Sequence, residues 1–184
     1  MAHRSVRRPV TEQEYLVFEE ASDVRHELVG GELYAMTGAS ARHNLIAGNI
    51  YRLLHAKGRP HGCRAFISDF KLRVPSGDFY YPDVMLVCDP AGMDDRVAHA
   101  PCLVVEVTSP STEATDRREK GPSYRTIPSL GAYLVVDQEQ RHVTRHWRDA
   151  TGQWWTEELL GDSAVPLPCP FGAQLTLDEI YEDT

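Results

Sequence analysis

The spacing of apolar residues predicts two helices in the first third of the chain. Thr11 and Glu14 stand at the spacing of a capping box, so we expect a helix that begins there and runs to about Glu20. Residues 40–57 carry leucine and isoleucine at helical spacing, and Gly58 follows them as a stop signal. This second segment is the longest helical pattern in the sequence.

Two further helices are expected later in the chain. Thr112 can cap a helix that reaches to about Ile127. Thr176 and Glu179 repeat the capping-box spacing and predict a short final helix. The helical patterns therefore lie on both sides of a region whose periodicity is that of strands.

Alternating or continuous apolar runs predict a strand-rich centre. With strands before and between helices, the order of elements predicts an α/β or α+β domain with a mixed sheet flanked by helices. The predicted strands are a hairpin over 26–36 that turns at Gly30-Gly31, single strands at 64–74, 80–88, 102–108 and 131–137, and a hairpin of 142–148 and 153–159.

The charge balance argues against broad, nonspecific binding of nucleic acid. Lys and Arg total 19 against 27 Asp and Glu, which gives a net charge of -8. Local basic runs do occur, and a solvated basic face is the commoner explanation for either of them. They consist of Arg4, Arg7 and Arg8, and of Arg117, Arg118, Lys120 and Arg125.

Length and composition indicate one domain of residues 1–184, in which residues 1–9 form a basic arm that can be disordered. No apolar run is long enough to span a membrane, and the basic start lacks the apolar stretch of a secretory signal. We therefore expect a cytoplasmic protein.

The four cysteines show no CxxC spacing, and we expect Cys88 and Cys102, which lie in apolar runs, to be reduced core residues.

A carboxylate interrupts a strand that is otherwise apolar. The stretch CLVVEVTSPST places Glu106 where an unpaired charge would be costly to bury. Asp83 lies in the preceding strand, on the face of Met85 and Val87, while Glu106 and Thr108 share a face of their own strand. If the two strands are neighbours, Asp83 and Glu106 can converge, and a cation between them would offset their repulsion.

Carboxylate oxygens of this kind suit Mg²⁺ or Mn²⁺. The backbone carbonyl of Val107 could complete the protein's share of the ligands, and Lys120 could bring an ammonium group over the site from the following helix. A metal held in this way would activate water and stabilise charge on a phosphodiester. From spacing alone, strand carboxylates that face solvent and a surface lysine remain the simpler interpretation.

Several stretches of the chain form a recognisable set. They are RHELVGGELYAMTGASARHNLIAGNIYRLL, YYPDVMLVCD, LVVEVTSPSTEATDRREKGPSYRTI, GAYLVVD and PFGAQLTLDEIY. The specific part is EVTSPST, followed at this spacing by an aspartate, a lysine and a tyrosine. The chain resembles the Uma family of endonucleases, within the PD-(D/E)XK restriction-endonuclease-like superfamily, from about residue 10 to the end.

The resemblance implies a restriction-endonuclease-like core with a magnesium-dependent nuclease site that cleaves DNA. Asp83 matches the motif aspartate and Glu106 the motif glutamate. The usual lysine would stand two residues after the glutamate, where this chain has Thr108. In this family the lysine comes from the following helix, where Lys120 is the matching position.

The resemblance also implies roles for residues outside the central motif. Glu27 and Glu32 match acidic positions in the N-terminal hairpin, and one of them can extend the metal site. His43, Arg117 and Tyr124 are candidates for contact with phosphate or substrate. Each has a structural alternative: a polar hairpin residue, a helix-start histidine, a solvated arginine or a core aromatic. Double-strand cleavage by a domain with one site usually needs two subunits, so a homodimer is also expected.

One departure keeps a second function class open. Gly121-Pro122 directly follows Lys120, and a proline inside a helix removes a hydrogen bond and clashes with the preceding turn. We therefore expect a break or kink at Lys120. With the acidic net charge, this favours the alternative of a degenerate nuclease fold that acts as a nucleic-acid-binding or oligomeric interaction module. A zinc protein is poorly supported, because the histidines and cysteines show no recognised ligand spacing.

Overall fold

The helices begin where capping side chains lie in the sequence. The computed structural model describes residues 8–36, 38–108, 120–170 and 172–184. Thr11 caps the first helix by accepting a hydrogen bond from the backbone N–H of Glu14, and the expected capping box is confirmed. The helices of these residues are α1 (Glu12–Ala21), α2 (Ala41–Gly58), α3 (Gly121–Arg125) and α4 (Leu177–Ile180), with single 3₁₀ turns at Arg59–His61 and Pro90–Gly92.

Thirteen short strands lie in the described residues outside these helices. The predicted hairpins are confirmed, and the glycine pair between the first two strands has φ of +58° and +81°, as a tight turn requires. The strands are β1 (His26–Val29), β2 (Glu32–Ala35), β3 (Arg64–Ile67), β4 (Lys71–Arg73), β5 (Phe79–Tyr80), β6 (Val84–Val87), β7 (Val97–Ala98), β8 (Leu103–Thr108), β9 (Ala132–Asp137), β10 (His142–Arg148), β11 (Trp154–Leu160), β12 (Ala164–Pro166) and β13 (Gln174–Thr176).

The strands form three sheets, of which the largest is mixed. Its order is β11-β10-β9-β8-β6-β3, with a parallel pair between β8 and β9 and antiparallel pairs elsewhere. A five-stranded sheet has the order β2-β1-β5-β4-β7, and β12 pairs with β13. The expectation of an α+β fold with a mixed central sheet flanked by helices is confirmed.

Two predicted single strands are each divided between the two larger sheets. The segment 64–74 breaks after Ile67, where Ser68 adopts a φ of +56°, and it continues in the other sheet as β4. The segment 80–88 breaks around Pro82, which has no N–H to donate to a ladder. Alternation of apolar residues is therefore correct along each piece, but it does not reveal the change of sheet.

Three hydrophobic clusters stack the layers in order. The first lies between α2 and the six-stranded sheet and includes Ile46, Ile50, Val84 and Val105. The second lies on the other face of that sheet, where Met85 and Val104 meet Tyr124 of α3 and Leu72 of the five-stranded sheet. The third places Tyr15 of α1 against Leu28 and Phe79. The central strands are therefore covered on both faces, as their continuous apolar pattern predicts.

The cysteines correct an expectation drawn from the sequence. Cys88 and Cys102 are not reduced core residues, since disulfides join Cys63 to Cys88 and Cys102 to Cys169. Arg64 pairs with Val87 in the β3–β6 ladder, so Cys63 and Cys88 are the next opposed positions beyond its end. A sequence without partner information cannot show that these positions face each other.

Two expectations lie partly outside the described residues. The basic arm falls mainly on residues 1–7, and the helix predicted from Thr112 is described only from Lys120 onward. Within the described ranges, we find no helix with the length and apolar character that a membrane crossing requires.

Candidate functional site

The expected acidic residues lie at one end of the β6–β8 ladder. In that antiparallel ladder Val84 pairs with Val105, so Asp83 and Glu106 are the next opposed positions. Asp83 directly precedes β6, and Glu106 lies near the end of β8. The tertiary structure therefore brings the two motif positions to the same end of the central sheet.

The Asp83 carboxylate is held by contacts at the end of the ladder. Its Oδ2 accepts a 2.7 Å hydrogen bond from the backbone N–H of Val107, and its Oδ1 lies 2.9 Å from Nε2 of His43 in the first turn of α2. The Asp83 side chain keeps 19% of its surface exposed. His43, a candidate from the sequence, is therefore an immediate neighbour of the motif aspartate.

The Glu106 carboxylate lies deeper than that of Asp83. Its side chain is 6% exposed, and its Oε1 accepts a 2.5 Å hydrogen bond from the hydroxyl of Tyr124. Burial raises the pKa of Tyr124 well above its usual value, and the nearby Glu106 charge adds to this, so the hydroxyl stays protonated and able to donate. The buried Glu106 carboxylate is therefore stabilised in this strand by a hydroxyl and an ammonium group from the α3 segment.

Lys120 supplies the ammonium. Its Nζ lies 2.9 Å from Oε1 of Glu27 and 3.5 Å from Oε1 of Glu106, and its side chain is 13% exposed. Glu27 on β1 is itself 12% exposed and also accepts a 3.1 Å hydrogen bond from the backbone N–H of Tyr81. The hairpin, the central strand β8 and the start of α3 therefore meet at this lysine.

Pro122 does not prevent this contact. The described part of α3 begins at Gly121, directly after Lys120, while residues 109–119 lie outside the described ranges. The Lys120 ammonium lies within salt-bridge distance of Glu27 and Glu106 with Gly121-Pro122 directly after it.

Other candidates from the sequence have different positions. Glu32 lies on the exposed strand β2, where its Oε2 accepts a 3.0 Å hydrogen bond from the hydroxyl of Tyr34. Tyr124 is 0% exposed, so its ring is part of the core. Arg117 lies outside the described residues. Of the two hairpin acids, the structure brings Glu27 to the cluster and leaves Glu32 on the outer strand.

Sequence reasoning did not identify the groups that hold these side chains in place. The backbone N–H of Val107 binds Asp83, and that of Tyr81 binds Glu27, but a backbone donor carries no signal in the sequence. Arg125, near the end of α3, was noted only as part of a basic run. Its guanidinium lies 3.0 Å from Nδ1 of His146 and 5.7 Å from the ring of Trp154, which forms a cationic and aromatic cluster one turn beyond Lys120.

Comparison with known proteins identifies the family. The family model described as "Uma2: Putative restriction endonuclease" matches residues 12–178. The chain belongs to the Uma2 family. The resemblance found in the sequence is therefore confirmed, and the match covers every described residue of the cluster formed by Glu27, His43, Asp83, Glu106 and Lys120, which we call the carboxylate–lysine cluster.

Relatives of this Uma2 chain are found in Synechocystis sp. (strain ATCC 27184 / PCC 6803 / Kazusa). The uncharacterized protein sll1609 is 35% identical over 159 residues, which cover 84% of this chain and 90% of that protein. The uncharacterized protein slr1290 is 33% identical over 173 residues, which cover 92% and 90% of the two chains. These matches support membership of the family over most of the length of this chain.

A solved structure shares the fold of this Uma2 chain. The crystal structure of a "putative nuclease belonging to DUF820" from Anabaena variabilis ATCC 29413 superposes with a TM-score of 0.75, covering 94% of this chain and 98% of that one. The sequence identity is 17%, so the likeness concerns the fold alone. The chain therefore has a nuclease-like fold, and its chemistry has to be argued from the carboxylate–lysine cluster.

Proposed function

We propose that this protein is a metal-dependent endonuclease that hydrolyses DNA phosphodiester bonds at the carboxylate–lysine cluster. The observation that carries the proposal is the position of Lys120, whose ammonium lies 3.5 Å from Glu106 at the end of the ladder that also carries Asp83. This supplies the lysine of a PD-(D/E)XK-type site from the α3 segment, while Thr108 stands at the usual lysine position. Membership of the family described as "Putative restriction endonuclease" supports the same conclusion.

The donor atoms present fit Mg²⁺, with Mn²⁺ as an alternative. Asp83 and Glu106 offer carboxylate oxygens, and the Val107 carbonyl faces the Asp83 side because the N–H and C=O of a strand residue point to the same neighbour. Oxygen donors of this kind are the ligands that hard divalent cations prefer. At this site in the described residues, no three His, Asp or Glu side chains bring ligand atoms within 4.8 Å of one another, so the carbonyl and water have to complete the shell.

A bound divalent ion supplies a water of lowered pKa and stabilises charge on phosphate oxygens. Lys120 adds a positive charge beside the same phosphate, where it offsets the negative charge that builds up as the phosphodiester is attacked. Glu27 and Glu106 orient that ammonium, since both lie within salt-bridge distance of it. Glu32 is left out of the proposal because its contact is with Tyr34 on the outer strand.

Tyr124 and His43 are assigned to positioning. The Tyr124 side chain is fully buried and its hydroxyl is bound to Glu106, so it orients the carboxylate and does not contact substrate. His43 orients Asp83 from the start of α2, and its 18% exposed side chain can also reach a phosphate oxygen. Both therefore act mainly through the two motif carboxylates.

The substrate and assembly follow from the same chemistry. With a net charge of -8, the chain depends on local positive groups such as Lys120 and Arg125 to attract a phosphate backbone. One site cuts one strand, so cleavage of both strands of a duplex requires two subunits. A homodimer is therefore part of the proposal.

The decisive experiment is cleavage of supercoiled plasmid and of labelled duplex oligonucleotides in the presence of Mg²⁺ or Mn²⁺. We expect nicking by the wild-type protein and a loss of at least about 100-fold in Asp83→Asn and Glu106→Gln, the order of magnitude for removal of one electrostatic group from a site. Asp178→Asn is the matched control, because the Asp178 side chain is 77% exposed on α4, and it should cleave like wild type. Undiminished cleavage by folded Asp83→Asn or Glu106→Gln would remove this mechanism.

A second candidate function is a nuclease fold that binds partners without cleaving nucleic acid. It is favoured by the acidic net charge and by the lack of three assembled side-chain ligands among the described residues of the cluster. Calorimetric titration with Mn²⁺ separates the two. Binding that disappears in Asp83→Asn supports the endonuclease, while no Mn²⁺ binding together with no cleavage of DNA or RNA supports the interaction module.

A further inference from the structure

A second group of metal-ligating side chains lies at the other end of the β6–β8 ladder from the carboxylate–lysine cluster. Cys88 follows β6, Cys102 precedes β8, Cys63 precedes β3, and Cys169 belongs to the segment between β12 and β13. The sulfurs of Cys88, Cys102 and Cys169 lie close together, and Cys63 is disulfide-bonded to Cys88. We call these residues the four-cysteine cluster.

The two disulfides of this cluster are in contact with each other. Sγ of Cys88 lies 3.4 Å from Sγ of Cys102, although each is bonded to a different partner. The sulfurs of Cys88, Cys102 and Cys169 all lie within 4.8 Å of one another, the only such group of His, Cys, Asp or Glu in the part of the chain that the structure describes. Cys63 joins them through its bond to Cys88.

We propose that the reduced four-cysteine cluster binds one Zn²⁺ as a tetrathiolate. Four thiolates are the complete ligand set of a closed structural zinc site. Zn–S bonds of about 2.3 Å in a tetrahedron place neighbouring sulfurs about 3.8 Å apart. The 3.4 Å separation of Cys88 and Cys102 is already close to this value, so these two need little movement.

The burial of the cluster fits such a site. Cys63 is 7% exposed, while Cys88, Cys102 and Cys169 are partly buried against the core cluster between α2 and the six-stranded sheet. Partial exposure leaves a route for the ion and partly solvates the net negative charge of a tetrathiolate. Cys169 would then attach the segment between β12 and β13 to the sheet through the metal instead of through Cys102.

The disulfide form converts to the zinc-bound form by reduction followed by metal binding. A phosphine reductant gives two electrons to each disulfide and becomes a phosphine oxide. One water molecule supplies the oxygen atom of the oxide and the two protons of the released thiols. Zn²⁺ then displaces the four thiol protons as it binds the four thiolates. Oxidation by hydrogen peroxide reverses the process: each pair of zinc-bound thiolates gives two electrons to one peroxide, which takes up two protons and becomes two waters, and the new disulfide no longer binds the metal.

The test uses the full chain reduced with a phosphine under anaerobic conditions. Added Co²⁺ should give the intense thiolate charge-transfer bands and visible d–d bands of tetrahedral coordination, and Zn²⁺ should displace it at one equivalent per chain. Zinc should also raise the thermal unfolding midpoint of the reduced chain, because the metal binds the folded form. Peroxide should release the zinc to a chromogenic chelator.

The variants locate the site. Cys88→Ser and Cys169→Ser should weaken the charge-transfer bands, and circular dichroism identifies any variant that has failed to fold. The sulfur bands of folded Asp83→Asn should be unchanged, so this result is independent of whether the carboxylate–lysine cluster cleaves DNA. Absence of sulfur-to-cobalt bands in the reduced wild-type chain, or bands that persist in both cysteine variants, would overturn the zinc site.

Discussion

Lys120 and Glu27 form a 2.9 Å ion pair in which both side chains are almost enclosed, with exposed fractions of 13% and 12%. The same ammonium lies 3.5 Å from Glu106, so one positive charge is shared by two carboxylates. Removing an ion-pair partner from an enclosed site leaves the other charge uncompensated, which costs more than an exposed pair contributes. The cluster therefore links the stability of the hairpin and the central sheet to the proposed chemistry.

Replacing the lysine should affect both properties. We expect Lys120→Met to abolish detectable cleavage and to lower the free energy of unfolding by about 3 kcal/mol, the low end for removing one partner of a buried pair. Urea denaturation and plasmid nicking measure the two effects. Lys57→Met, in the last turn of α2, is the matched control and should change the free energy of unfolding by less than about 1 kcal/mol. Equal effects of the two variants would mean that the ion pair contributes nothing specific.

The Tyr124 hydroxyl should contribute to stability through Glu106. Tyr124→Phe removes the donor of the 2.5 Å hydrogen bond and leaves a buried carboxylate oxygen with one partner fewer. We expect the free energy of unfolding to fall by about 1–3 kcal/mol, the usual cost of leaving a buried polar group unpaired. Chemical denaturation at neutral pH provides the measurement.

Tyr51→Phe is the comparison for this variant. Tyr51 lies on α2, where its ring is 5.9 Å from that of His55, and loss of its hydroxyl should be nearly neutral. If Tyr124→Phe is as stable as Tyr51→Phe, the hydroxyl does not hold Glu106. If Tyr124→Phe is destabilised but cleaves normally once folded, Tyr124 has a structural role only.

The elements that local chemistry determines could be predicted from the sequence. Thr11 and Thr176 cap their helices through the predicted capping boxes, because the partner glutamate lies three residues away in each case. The approach of Asp83 and Glu106 could be predicted as well. It follows from the alternation of side chains along each strand once β6 and β8 are taken to be neighbours. Both depend on contacts within one element or between adjacent strands.

Contacts between distant segments could not be predicted in the same way. The partner of Glu27 depends on how the five-stranded sheet lies against the six-stranded one, and nothing in the hairpin sequence encodes that placement. The pairing of Cys102 with Cys169 likewise joins residues 67 positions apart.

Acid should weaken the link between α1 and β4. Arg73 donates hydrogen bonds of 2.7 and 2.9 Å to Glu12, and this hydrogen bonding lowers the pKa of Glu12. A carboxyl whose pKa is lower in the folded state contributes stability above its unfolded pKa and loses it as pH falls through the folded value. The Glu12–Arg73 contribution should therefore be present at pH 7 and disappear in acid below about pH 4.

A double-mutant cycle with Glu12→Gln and Arg73→Gln measures this contribution. The side chains are 40% and 35% exposed, so solvent screens the pair and we expect a coupling free energy of about 0.3–1 kcal/mol at pH 7. The cycle separates this coupling from the effect of Glu12 on the helix dipole, which both backgrounds share. A coupling that is the same at pH 7 and at low pH would contradict the assignment.

Glu19 should be a main determinant of where the hairpin lies. It is 1% exposed, and its carboxylate accepts hydrogen bonds from the backbone N–H of His26 at 3.0 Å and from the hydroxyl of Tyr81 at 2.8 Å. Burial raises the pKa of Tyr81, so that hydroxyl remains a donor. Glu19→Ala leaves both donors without this acceptor, and we expect it to lower the free energy of unfolding by about 2–4 kcal/mol.

The neighbouring residue is the matched control for Glu19. Glu20 is 63% exposed and pairs with Arg96 at the surface, so Glu20→Ala should change the free energy of unfolding by less than about 0.5 kcal/mol. Since β1 carries both His26 and Glu27, folded Glu19→Ala should also cleave DNA more slowly, as the hairpin that orients Lys120 loses its anchor. Equal stability of Glu19→Ala and Glu20→Ala would show that the buried carboxylate does not fix the hairpin, and the position of Glu27 would then have to come from its hydrogen bond with the backbone N–H of Tyr81 and from strand pairing.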